Sequence, residues 1–189
     1  YFADGEGWIN ASDLSTTDNR IEAVQKVLNE KYNNQERISV YVKQLDTDRV
    51  AAINDEKSMY AASVAKLGVL YYAQERLSQK KLSLSDEYQY TSAVNGFPGA
   101  YDPDGSGKIS KMPDDKNYSL ENLLKAVAQN SDNVATNILG YYVTNQYDKA
   151  FQKSVDKAAA TSWNMDKKEL TARAAGTLME AVYRQNGDI

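Results

Sequence analysis

The chain has 189 residues, enough for one domain with a substantial core. Its 42% hydrophobic and 25% charged content is that of a globular protein, and a net charge of −4 with a pI near 5.0 offers nothing to nucleic acid. Cys and His are both missing, which excludes thiol nucleophiles, disulfides, thiolate or imidazole metal sites, Ser-His-Asp triads and histidine bases.

Any nucleophilic chemistry must therefore take its base from Lys, Asp, Glu or Tyr. No cofactor is expected, and no apolar run reaches transmembrane length. The start at Tyr1, with no signal-like segment, reads as a processed or excised piece. Within residues 1–15, Gly7-Trp8-Ile9 followed by Asn10-Ala11-Ser12-Asp13-Leu14 resembles the closing strand of a bacterial SH3-type wall-binding module. Residues 1–17 are read as that strand or a linker, and residues 18–189 as one domain.

Asn19 and Glu22 have the spacing of a capping box, and Ile21, Val24, Val27 and Leu28 fall on one helical face. Asn33-Asn34 ends that helix. Residues 38–45 alternate as a strand, Asp46-Thr47-Asp48 turns it, and residues 50–53 pair back as a hairpin. Residues 77–117 are polar and turn-rich. Ser119 caps a helix with Leu120, Leu123, Leu124 and Val127 as its buried stripe, stopping at Asn130. Helices follow over residues 134–143 and 147–160. Thr171 caps a last one carrying Ala174, Ala175, Leu178, Met179 and Val182, which ends near Asn186-Gly187. A helix, a hairpin and then a buried central helix argue for an α/β layer arrangement.

That central helix holds the candidate chemistry. Residues 61–73 are apolar on every side except for Ser63 and Lys66, three apart and so on one helical face. A buried ammonium without partners is costly, and its pKa falls. A lysine pushed toward neutrality can take the proton of a neighbouring serine hydroxyl. The helix N-terminus at Ser63 favours developing negative charge. Ser-x-x-Lys by itself is a weak signal, because Ser78/Lys81 and Ser154/Lys157 repeat it in polar surroundings and read as surface pairs. Ser131-Asp132-Asn133 lies 68 residues after Ser63, and read alone it is a helix cap.

Taken together, the two motifs resemble those of the class A β-lactamase and penicillin-binding serine hydrolase family. Residues 59–67 resemble its nucleophile segment, and residues 123–139 its second motif and following helix. The resemblance covers residues 20–189. It implies a β-lactamase/transpeptidase-like α/β fold, an antiparallel sheet flanked by helices with a helical subdomain. It implies that Ser63 attacks a β-lactam or acyl-D-Ala-D-Ala carbonyl and that Lys66 helps remove its proton. Ser131 would relay a proton to the departing nitrogen, Asn133 would hold the substrate amide and hydrogen-bond Lys66, and the Ser63 N–H would serve the oxyanion. Tyr101 is a further candidate for substrate contact. The expected setting is extracellular or cell-wall associated, in a bacterium. The alternative is a non-catalytic wall- or peptide-binding domain on the same scaffold.

Two departures qualify the resemblance. No Lys-Thr-Gly occurs, so the strands that bear it are expected to lie outside this sequence. The chain alone is then expected to expose an apolar face and not to be a fully active enzyme. The deacylating Glu-x-x-x-Asn is also absent, and neither Asp166 nor Glu169 is a clear substitute in the short stretch 163–171. Slow deacylation follows from that reading. Residues 102–110 mimic the start of a calcium loop at Asp102 and Asp104, but Pro113 stands where Glu is needed, so a turn-rich loop at the cleft rim is the preferred reading.

Overall fold

The computed structural model describes residues 18–185. The Trp8-Ile9 segment and the Asn186-Gly187 stop therefore lie outside the described residues.

The chain begins with α1 (Arg20–Tyr32) against the hairpin β1 (Val40–Lys43) and β2 (Val50–Ile53), paired antiparallel from Val40↔Ile53 to Lys43↔Val50. Ile21 and Leu28 bury against Ala51, while Val27, expected on the same face, is exposed. The expected capping box does not form. Asn19 makes no side-chain cap, and Asp18 instead accepts from the Arg20 N–H. The Gln25 amide bonds both the N–H and the carbonyl of Ala52, which docks α1 on the hairpin.

After β3 (Met59–Tyr60) comes a 3-10 helix, Ala62–Lys66, which passes into α2 (Leu67–Ser78). The expected single α-helix through Ser63 is thus two segments. The apolar run 67–73 explains why α2 is central: Val69 and Ala73 are wholly buried, and Tyr71 and Tyr72 nearly so. The turn-rich stretch hides a second hairpin-like pair, β4 (Glu87–Gln89) with β5 (Asn117–Ser119), and a 3-10 turn at Ser92–Asn95. Both strands are too short and polar to show a periodicity.

Ser119 caps α3 (Leu120–Asn130) by accepting from Asn122, and the expected stripe is the buried one. Next come α4 (Asn133–Tyr142), α5 (Lys149–Ala159), β6 (Glu169–Leu170) paired with β3, and α6 (Ala172–Arg184). Thr171 caps α6 by accepting from Ala174. Asp148 caps α5, so that helix starts after Tyr147. The fold is a helix-rich α/β arrangement with three small antiparallel pairs.

One large core joins α2, α3, α4, α5 and α6, with Trp163, Phe151, Leu124 and Leu139 among its fully buried side chains. Lys43 of β1 reaches Glu180 of α6 at 2.8 Å and ties the hairpin to that core. Met179 and Val182 of α6 were expected inside; Met179 is exposed and Val182 half-buried beside the core. Met179 of α6 and Val42 and Leu45 of the hairpin region are exposed apolar side chains. We predict that Leu139→Ala costs about 3 kcal/mol in urea unfolding; a loss under about 1 kcal/mol would mean that α4 is not packed as described.

Candidate active site

A groove of about 810 Å³ runs between β1, the 3-10 helix, the start of α2, the end of α3 and α6. Its walls are largely apolar: Met59, Leu67, Leu70, Val127, Leu170 and Met179. Its polar lining includes Ser63, Lys66 and Ser131. The structure thus brings together three of the residues singled out in the sequence.

Backbone geometry explains the pairing of the first two. In a 3-10 helix, side chains three apart eclipse, so Ser63 and Lys66 stack along one edge more directly than on an α-helix. Ser63 is exposed, whereas Lys66 is 2% exposed. The five-residue 3-10 segment is too short for the expected dipole argument. What remains is local: among the described residues, neither the N–H nor the hydroxyl of Ser63 is hydrogen-bonded.

Lys66 finds three acceptors, one for each ammonium proton. Its Nζ donates to the Ser131 carbonyl at 2.5 Å, the Ser131 Oγ at 3.1 Å and the Asn133 Oδ1 at 2.6 Å. Two opposing effects set its charge. Burial lowers its pKa and the nearby Asp132 carboxylate partly offsets this, leaving it at about 8 instead of 10.5. Near neutral pH, a small but useful fraction of Lys66 is a free amine.

The turn that supplies these acceptors is itself over-determined. Ser131 ends α3 in the left-handed conformation (φ 51°) usually filled by Gly or Asn. Asp132 then caps α4, its Oδ1 accepting from Ala135 at 2.9 Å. Its Oδ2 accepts from the N–H groups of Lys108 and Ile109 at 2.5 and 2.9 Å. The Asn133 Nδ2 donates to the Asp102 carbonyl at 2.7 Å, and its N–H to the Ser106 carbonyl at 2.8 Å. Residues 102–109 therefore wrap the Ser131–Asn133 turn.

The two loop glycines show how close that wrapping is. A Cβ on Gly107 (φ 132°) would meet the Asp132 carboxyl at 2.4 Å, and one on Gly105 would meet the Asn133 amide at 2.3 Å. The calcium-like pattern of Asp and Gly is thus explained by packing. The Asp102 Oδ1 accepts from the Asp104 N–H at 2.9 Å, a local turn bond. Asp132 and the loop glycines are the site residues the sequence reading passed over. Their signal was present but resembled an ordinary cap and an ordinary turn.

Tyr101 lies elsewhere than expected. It is 8% exposed and does not line the groove. Its hydroxyl donates to the Ala62 carbonyl at 3.2 Å, and its ring lies 4.7 Å from the Lys66 Nζ and 4.5 Å from the Lys168 Nζ. Asn133 also sits just behind the groove wall, in contact with Lys66. Asp166 and Glu169 are exposed, and neither borders the groove.

Known proteins share this fold. The family model described as "Beta-lactamase enzyme family" matches residues 19–188. No curated protein matches the chain. The structure of PBP-A superposes with a TM-score of 0.68 at 14% identity, covering 87% of this chain and 62% of PBP-A. A PBP-A variant has also been solved as an acyl-enzyme complex with penicillin G. A β-lactamase from Sphaerobacter thermophilus gives 0.64 at 16% identity, covering 89% and 64% of the two chains. The D-alanyl-D-alanine carboxypeptidase DacD from Francisella tularensis gives 0.63 at 17%, covering 82% and 38%. At these identities the likeness is one of fold, and the chain spans less than two thirds of each of these structures.

The site makes two predictions of its own. The Lys66 ammonium, followed by NMR in the unliganded protein, titrates near pH 8; a midpoint near 10.5 would contradict its burial. Gly107→Ala lowers stability by about 2 kcal/mol or more, because both the backbone angle and the Asp132 contact oppose a Cβ; an unchanged melting temperature would contradict the described loop. With the family model spanning residues 19–188, the chain belongs to the β-lactamase enzyme family.

Proposed function

We propose that the protein is a serine acyl-transfer enzyme of class A-like organisation, acting on β-lactams or acyl-D-Ala-D-Ala peptides through a Ser63 acyl-enzyme. The observation that carries this reading is the juxtaposition of an exposed, unbonded Ser63 hydroxyl with a buried Lys66 of lowered pKa in one groove. Family membership and the acylation of a PBP-A variant by penicillin G support the substrate class.

Neutral Lys66 takes the Ser63 hydroxyl proton as Oγ bonds to the carbonyl carbon. The carbonyl oxygen becomes an oxyanion facing the unpartnered Ser63 N–H, an interaction commonly worth about 3 kcal/mol in the barrier. Lys66, now an ammonium, passes a proton through the Ser131 hydroxyl, 3.1 Å away, to the departing nitrogen. The C–N bond breaks, and Lys66 and Ser131 return to their starting protonation. Asn133 holds Lys66 in place through its Oδ1.

Release of the acyl group needs a base for water, and among the described residues no Asp or Glu lines the groove. The acyl-enzyme is therefore long-lived, as in a penicillin-binding protein or peptidase. Placement outside the cell or at the wall accords with such substrates. The test is intact-mass spectrometry after incubation with benzylpenicillin. The expected result is a lasting adduct on Ser63 that Ser63→Ala abolishes. Neither adduct nor penicillin consumption would overturn the reading and favour a binding domain on the same scaffold.

A further inference from the structure

Two hydrogen bonds grip the residues just before Ser63, and neither belongs to the catalytic steps. The Ala61 N–H donates to the Lys168 carbonyl at 2.7 Å. The Tyr101 hydroxyl donates to the Ala62 carbonyl at 3.2 Å. Between them, Ala62 takes φ 45°, a left-handed angle that a non-glycine residue keeps only when its surroundings impose it.

We propose that Tyr101 is a positioning residue, which with the Lys168 carbonyl holds the Ala61–Ala62 turn so that the Ser63 Oγ and N–H face the groove. The proposal rests on Ser63 being the nucleophile.

The geometry around Tyr101 fits that task. Its own backbone is clamped by Asn137, whose Oδ1 accepts from the Tyr101 N–H at 2.7 Å and whose Nδ2 donates to its carbonyl at 2.8 Å. Asn137 is wholly buried on α4, four residues after Asn133, so the clamp is anchored to the helix that carries the Lys66 acceptor. The Tyr101 ring is near both lysine ammoniums, within range of cation–π attraction. Lys168 Nζ in turn donates to the Gly99 carbonyl at 3.2 Å, closing the loop before Tyr101 onto the turn before β6. Burial raises the Tyr101 phenol well above its ordinary range, so it remains a donor throughout the working range of pH. Nothing in this network requires Tyr101 to meet substrate.

The test is Tyr101→Phe, which keeps the ring and removes only the hydroxyl. The melting temperature is expected to stay within about 4 °C of wild type, as for loss of one hydrogen bond. The first-order acylation rate constant by benzylpenicillin, measured at saturation, falls roughly 10- to 100-fold, the cost of a misplaced nucleophile. The dissociation constant of the preceding non-covalent complex is unchanged. An unchanged acylation rate constant overturns the proposal, and so does a fall fully accounted for by the fraction unfolded. A second readout needs no chemistry. Amide hydrogen exchange over residues 61–63 quickens in the variant, and equal exchange overturns the proposal even where the wild-type protein takes no acyl group. Loss of labelling in wild type would instead overturn the assignment of Ser63 as nucleophile, so the two failures are distinct.

Discussion

The arrangement depends on one buried charge. Lys66 is placed where water cannot solvate its ammonium, and three protein oxygens take the place of that water. All three come from the turn Ser131–Asn133, on the far side of the groove from its own helix. The left-handed Ser131, the α4 cap by Asp132 and the wrapped loop 102–109 are what keep that turn in place. Were the acceptors too weak, Lys66 would leave the site; were they strengthened by a direct carboxylate, it would stay fully protonated and lose its use as a base. Asp132 supplies negative charge nearby but spends its own oxygens on backbone N–H groups, which leaves Lys66 between these limits.

The same logic divides the site into moving and fixed parts. Ser63, Lys66 and Ser131 line the groove and are the groups whose protons would travel in the proposed reaction. Asn133, Asp132, Tyr101 and Asn137 are buried behind it and bond mainly to backbone. A hydroxyl nucleophile on a strained turn needs such backing, since small displacements of a reacting group are costly in rate. Among the described residues, no carboxylate lines the groove.

Much of this was legible in the sequence, for reasons that differ by element. The α3 stripe and the Ser119 and Thr171 caps are local patterns, and each recurs in the structure as read. Ser63 and Lys66 stood out as the two strongly polar side chains of an apolar run, and Ser131 and Asn133 only through the order and spacing of the two motifs and their family resemblance. The capping box at Asn19 does not form, and the side-chain acceptor at this helix start is Asp18, bonded to the Arg20 N–H. The Ser63 segment was expected as α-helix because periodicity does not separate 3-10 from α over five residues. Strands β4 and β5 escaped because three-residue polar strands have no pattern to read. Tyr101 was placed in the cleft because its neighbours are loop residues. Its clamp by Asn137 and its bond to Ala62 are tertiary contacts, 36 and 39 residues distant in sequence, that no local pattern signals.

In the proposed reaction Lys66, neutral in part because it is buried, is the base that activates Ser63. The most direct measurement is the acylation rate constant at Ser63 as a function of pH, using a β-lactam with no titratable group in the range. The base is the deprotonated form, so the rate rises about tenfold per pH unit at low pH and levels off above a midpoint near 8. A rate that is flat from pH 6 to 10, or one still rising past the ordinary lysine value of 10.5, would contradict the claim.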